Sequence, residues 1–477
     1  MTGTTAATTG IHRRFVALTA LRWLPTGLLI PVLVVLMQAR GLGLAQVGLV
    51  SAAASTVVLV LELPTGGLAD AAGRRPVLVA ASLLDVASLA LVAAAHSPGA
   101  FLVAWMVQGV YRALESGPLE AWYVDSAQAA DPEADIERGL AHAGTAAGGA
   151  IAAGALVTAV LTTWPPGGVD PLVVPVLAAL TLRVIDVVAL AALLREPTRR
   201  GRGLTAAGAA VAGAPAVVGR TARLMARSPT LLALAGVELS WGAGLVAVEL
   251  FSAPRMVSLV GDATGGVAAY ALAAAAGWAV CAVGSAFTGR VVAGAGGGSP
   301  ARAGARLRVV QGAAAAVMAA VGGPGAFVAG YLGFYLVHGT ANVVHYGMVH
   351  RAVGPDHRTT VLSANSLASR AGGIVAALAL GVVADRAGAA WALLAGAVVL
   401  AAAAPLYGIA GRSAPASAAE RIGRSPGPTR GDLGREQQLD SSADRRCGTV
   451  TGSDVTHPRS VSAAERVGRS PGPRAAT

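Results

Sequence analysis

Nine ionisable side chains stand inside otherwise apolar stretches of the chain: Arg22, Asp85, Arg112, Glu115, Arg183, Asp186, Glu238, Glu249 and Arg370. A charge near the middle of a bilayer costs at least about 2.5 kcal/mol, so such groups pair, face a protein interior, or line a path. Arg112 and Glu115 lie one helical turn apart. An arginine keeps its proton, so it can act only by biasing a neighbouring carboxylate, and Glu115 is placed to be that partner. A fixed intrahelical pair is the structural alternative. Arg183 and Asp186, also one turn apart, read as a self-neutralised pair. Asp85 has no charged partner nearby in sequence. Ser82 and Ser88 can share its hydrogen bonds, or Arg22 can approach from the first span, unless Arg22 and Trp23 anchor at the membrane interface. Glu238 and Glu249 are separated by three helical turns and point nearly the same way. Glu238, the deeper, is the candidate proton carrier. Glu249 sits toward the outer mouth, where a water-facing role competes with one in the cavity.

A second constellation is neutral. Tyr331, Tyr335, His338, Asn342 and His345 recur at helical spacing and form one stripe. In an alanine-rich bundle, Tyr335, His338 and Asn342 are candidates for contact with an aromatic or polar solute, and His338 can titrate. Helix–helix hydrogen bonding is the competing role. No His, Cys, Asp or Glu set has a metal-ligand spacing, and no cofactor is expected.

The elements holding these residues follow from composition. The chain has 477 residues, 54% of them hydrophobic and 13% charged, and its mean hydropathy is +0.62. A soluble fold needs more charge to cover its surface. Apolar runs of about 20 residues recur, the length of a membrane-crossing helix. Few alternate with the period of a strand, so a membrane barrel is not expected. The abundance of Ala and Gly suits close helix packing in lipid. All 36 basic residues are Arg, which with the Ala, Gly and Pro content suggests a GC-rich bacterial genome.

Twelve spans are expected, at 15–38, 44–66, 76–96, 99–122, 140–163, 171–194, 230–252, 264–288, 306–322, 325–349, 360–384 and 389–410. Turn residues such as Ser97-Pro98-Gly99 and Gly322-Gly323-Pro324 separate them. With the N-terminus inside, 18 arginines fall in inner segments, including Arg302, Arg306 and Arg308, against 3 outside, Arg40, Arg255 and Arg386. The positive-inside rule therefore places both termini in the cytoplasm. The expected fold class is an all-α integral membrane protein of two six-helix bundles, 1–194 and 230–410. A cytoplasmic linker, 195–229, divides them and carries a short amphipathic helix with Arg220, Arg223 and Arg227. The tail, 411–477, has 11 Arg, 7 acids and a near-perfect twelve-residue duplication, and is expected to be disordered.

Between the second and third spans the chain reads Gly66-Gly67-Leu68-Ala69-Asp70-Ala71-Ala72-Gly73-Arg74-Arg75. This stretch resembles the loop between helices 2 and 3 of major facilitator superfamily transporters, and Glu62-Leu63-Pro64-Thr65 before it resembles the branch of efflux and multidrug carriers. Arg112-Ala113-Leu114-Glu115-Ser116-Gly117 is similar, more loosely, to that family's span 4 motif, where the arginine is implicated in proton coupling. Gly381 to Gly388 mimics the first motif after span 11. The resemblance implies two repeated halves around a midplane site, a cytoplasmic latch at Gly66, Asp70, Gly73, Arg74 and Arg75, and a monomer. Asp70 can sit against a helix N-terminus.

These readings converge on a secondary transporter working by alternating access in the bacterial cytoplasmic membrane. Proton-coupled efflux of a small hydrophobic or drug-like compound leads, with Arg112, Glu115, Glu238 and Asp85 as coupling residues and Tyr335, His338, Asn342 and Glu249 at the substrate cavity. Gly144-Thr145-Ala146-Ala147-Gly148-Gly149 has the glycines of the antiporter element on span 5 without its proline, so uptake of a nutrient stays open. A non-transporting membrane scaffold is the alternative of another class. The expected partners are a small-molecule substrate, protons and the lipid bilayer; no nucleic acid is expected. No Walker loop, HExxH or Gly-x-Ser-x-Gly suggests an enzyme.

Overall fold

The computed structural model describes residues 2–196, 219, 223–354 and 357–412. Among these, helix is the only regular structure. The duplicated tail and most of the linker lie outside them; of the linker, 223–226 form a helical turn, with Met225 buried against the helices that follow.

The first helices are α1 (Thr2–Leu29), α2 (Leu33–Ala39), α3 (Leu44–Ala72), α4 (Arg74–Ala94), α5 (Pro98–Glu115), α6 (Pro118–Ala130), α7 (Ile136–Thr163) and α8 (Val174–Leu193). After the linker come α9 (Pro229–Val260), α10 (Ala263–Ala286), α11 (Thr288–Ala293), α12 (Pro300–Ala320), α13 (Pro324–Ala352), α14 (Arg358–Ala387), α15 (Ala389–Ala402) and α16 (Ala404–Arg412). Among the described residues, ten stretches are long and apolar enough to cross a membrane. Three expected spans are broken. The first divides at Pro31, which has no N–H to continue the ladder. The fourth divides at Gly117, with φ of 93°, into α5 and α6. The last divides after Ala402.

Helix starts follow local chemistry. Ser97, Asp135, Ser228, Asp262 and Ser299 each accept the backbone N–H three residues on, closing otherwise orphaned donors. The Gly265 N–H and the Thr264 hydroxyl hold the exposed Asp262 carboxyl below its usual range. Two helix ends are closed by arginines counted as outer-loop charges. Arg40 donates to the carbonyls of Val92 (2.8 Å) and Ala93 (2.9 Å) at the end of α4. Arg255 donates to Ala319 (3.2 Å) and Val321 (2.6 Å) at the end of α12. A cation there also opposes the negative end of the helix dipole.

Glycine sets the closest helix approaches. A Cβ on Gly242 would lie 1.9 Å from the Ser369 carbonyl oxygen, and one on Gly372 would lie 1.9 Å from that of Leu239, so α9 and α14 meet backbone to backbone. Gly284 and Gly339 do the same for α10 and α13, at 2.0 Å from Leu336 and Cys281 oxygens. In lipid, such packing rather than water exclusion drives association. The helices before the linker meet those after it chiefly where α3 packs on α14 and α7 on α10. At the first contact, Gly48 faces the Ala377 carbonyl and Gly381 faces that of Leu44.

The glycine-punctuated stretch is less of a loop than expected. Helix α3 runs on through Gly66, Gly67 and Asp70 to Ala72, and the chain turns only at Gly73, whose φ of 94° suits a residue without Cβ. Gly388, with φ of 95°, ends α14 in the same backbone conformation.

Candidate functional site

Six charged side chains from four helices form a network in the first half of the chain. Arg183 on α8 bonds Asp85 on α4 (2.6 Å) and Asp186 (3.2 Å), and Ser82 donates to Asp186 (2.8 Å). Arg22 on α1 meets Glu115 on α5 at 3.1 Å, and Arg112 meets the same carboxylate at 3.5 Å. Arg112 also lies over the Trp23 ring at 5.4 Å, and Arg183 over Tyr111 at 5.1 Å. Three cations face three anions, and all but Arg112 are largely withdrawn from solvent. This revises three sequence expectations. Asp85 takes its partner from α8, not from Arg22; Ser88 bonds the Ala104 carbonyl; and Arg22 is buried in an ion pair rather than anchored at an interface.

The second half of the chain holds a different cluster. Glu238 on α9 meets His345 Nε2 at 3.2 Å, and Asn365 on α14 reaches the same nitrogen at 3.1 Å. His345 Nδ1 lies 3.1 Å from the Tyr407 hydroxyl on α16. Arg308 on α12 is sealed at 1% exposure, donating to Gln311 at 2.7 Å and lying 5.0 Å over the Trp241 ring. Sequence reading had counted Arg308 as an inner-segment charge, because Arg302 and Arg306 precede it. The helix in fact begins at Pro300 and carries Arg308 two turns into the bundle.

A cavity of about 370 Å³ opens beside this cluster between α3, α9, α13 and α14. Glu238, His338, Asn342, Tyr346 and Arg370 line it, with Trp241, Ser55, Ser366 and Ser369. The His338 ring stacks on Trp241 at 4.3 Å. Arg370 is joined through Nε to Glu62 on α3, 2.8 Å away. Of the expected cavity residues, His338 and Asn342 are in the wall. Tyr335 is instead buried against Tyr331, Trp278 and His338. Glu249 is exposed and outside this wall, and Glu238 is inside it. Glu62, Trp241, Arg308, Asn365, Arg370 and Tyr407 complete the picture. Of these, Arg370 was visible as a charge inside a span, and Glu62 only as part of a motif.

At the start of α4, Arg74 bonds Asp125 (2.5 Å) and the Ala121 carbonyl (2.7 Å). The Arg75 N–H donates to Glu196 at 2.5 Å and its guanidinium to Ala191. Glu196 therefore accepts a backbone N–H at the N-terminus of α4. The Asp70 side chain, like the surroundings of Gly66, lies outside the described residues.

The profile of the family described as Major Facilitator Superfamily matches residues 15–377. No curated protein matches the sequence. The nucleoside transporter NupG has a similar fold, with a TM-score of 0.68 at 12% identity over 83% of this chain and 98% of its own. An inward-facing bacterial homologue of the human lysosomal transporter Spinster gives 0.64 at 16% identity, over 85% and 97%. The human organic anion transporter MFSD10 gives 0.55 at 16%, over 84% and 99%.

Proposed function

We propose, because the chain belongs to the major facilitator superfamily, that it carries a small organic solute by alternating access and couples that movement to protons. It is a multi-pass membrane transporter and not an enzyme. In our reading α5 with α6, and α12, add two crossings to the ten apolar stretches, giving twelve with both termini in the cytoplasm of a bacterium. Residues 1–194 and 230–410 are then two six-helix bundles that rock about the cavity, and the carrier works as a monomer.

One observation carries the proton reading. Glu238 is at once part of the cavity wall and in contact with the fully buried His345. A carboxyl and an imidazole 3.2 Å apart can hold one proton between them and exchange it with the cavity. The six-charge network around α4 pairs three cations with three anions, so we assign it to holding the helices and not to coupling. The direction we propose is export, on the likeness of the Glu62 to Arg75 stretch to efflux carriers. Proton-driven uptake is the second reading, favoured by the cavity's polar wall, which suits a hydrogen-bonding solute better than a purely apolar one.

The test is flux in proteoliposomes with and without an imposed pH gradient. Glu238→Gln should abolish gradient-driven accumulation while leaving solute counterflow. Equal gradient-driven flux in wild type and Glu238→Gln would remove Glu238 from the mechanism.

A further inference from the structure

We infer that the cavity takes a small organic anion, whose carboxylate is received by Arg370 in exchange for Glu62. This rests on the transport reading of the cavity and adds the chemical class of its substrate. Two charged groups stand in the wall, Glu238 and Arg370. Glu238 is committed to His345. Arg370 is not: of its five N–H donors, Nε pairs with Glu62 as an ion but makes no hydrogen bond. The terminal nitrogens make no hydrogen bond among the described residues, and a planar guanidinium fork matches a carboxylate bidentately.

The Arg370–Glu62 pair is also built to exchange. Its side chains are 34% and 24% exposed, against 2% and 4% for Arg183 and Asp85. An ion pair in contact with water contributes little net stability, so another anion can replace one member at small cost. Arg308, the buried arginine over Trp241, is closed off by that ring and Gln311. The remaining wall offers neutral hydrogen-bonding groups, Ser55, Asn342 and Ser366 among them, to the body of the molecule. A cavity of about 370 Å³ bounds that body to the lower end of drug-sized ligands.

The exchange has a mechanical side. Among the described residues, Arg370–Glu62 is the one ion pair that joins a helix before the linker to a helix after it. A carboxylate that takes Arg370 from Glu62 therefore removes this ionic link between α3 and α14 as it binds.

Calorimetric titration of the full chain in lipid nanodiscs, with acid and amide pairs, tests this. Suitable probes are nicotinate and nicotinamide, benzoate and benzamide, and indole-3-acetate and indole-3-acetamide, with tryptamine as a cationic counterpart. At least one acid should bind at about 1 mM or tighter, at least about tenfold better than its amide. Arg370→Gln should erase that preference, and Arg370→Lys should keep part of it. Glu62→Gln, which removes the resident competitor, should tighten acid binding severalfold. Size-exclusion profiles matching wild type would exclude misfolding. Acids and amides binding alike, no acid binding at all, or weaker acid binding in Glu62→Gln would each overturn the inference. Tryptamine or an amide carried under a pH gradient would overturn it too, yet leave the transport reading standing. Acid binding without gradient-coupled flux would do the reverse.

Discussion

Arg183 holds two acids at once, so its removal is the sharpest probe of the buried network. Arg183→Ala would leave Asp85 and Asp186 facing each other without a cation. Stranding one partner of a buried pair costs about 3–5 kcal/mol. The expected outcome is a marked fall in thermal midpoint in detergent, much of it recovered when Asp85→Asn and Asp186→Asn are added. At this scale the sequence was partly legible. Arg183–Asp186 and Arg112–Glu115 could be paired from spacing alone, because residues three apart share a helix face. Asp85 could not be given its partner, since Arg183 arrives from a helix almost a hundred positions later. Arg308 was misplaced because flanking arginines resemble a loop, and a single buried guanidinium has no local signature. The stripe on α13 was found, but neither its split nor the depth of His345 could be read. His338 and Asn342 face the cavity, while His345 turns to Tyr407 and Asn365.

The helices themselves were the easiest part to read, because composition and length decide them. Their ends were harder. Serine and aspartate caps mark the starts of α5, α7, α9, α10 and α12, yet helix α3 overran its expected end by six residues. Glycines at 66 and 67 looked like a break; the helix runs through them, at a propensity cost of about 1 kcal/mol each. What no sequence pattern gave is which glycines are contact points. Gly284 and Gly339 touch carbonyls, whereas Gly144, Gly148 and Gly149 meet open space. Gly284→Val should therefore destabilise the fold by about 1–3 kcal/mol through overpacking, and Gly148→Val should be near neutral. Thermal unfolding of the two variants in the same detergent checks the contrast.

At the scale of the whole molecule, the helices before the linker and those after it touch chiefly along two lines, α3 on α14 and α7 on α10. The first of these lines carries the Glu62–Arg370 ion pair, and Gly48 and Gly381 meet backbone carbonyls along it. A Cβ on Gly48 would fall 2.1 Å from the Ala377 carbonyl oxygen. Gly48→Val is expected to cost stability as Gly284→Val does and to lower transport by tenfold or more, read as solute counterflow in proteoliposomes for equal amounts of folded protein; unchanged counterflow would mean that this line does not move. Smooth backbone against smooth backbone behaves as a bearing, not as a gear. At Gly48 and Gly381 no side chain has to climb out of a hole when one helix slides past the other. A carrier made this way needs no large store of strain to turn over.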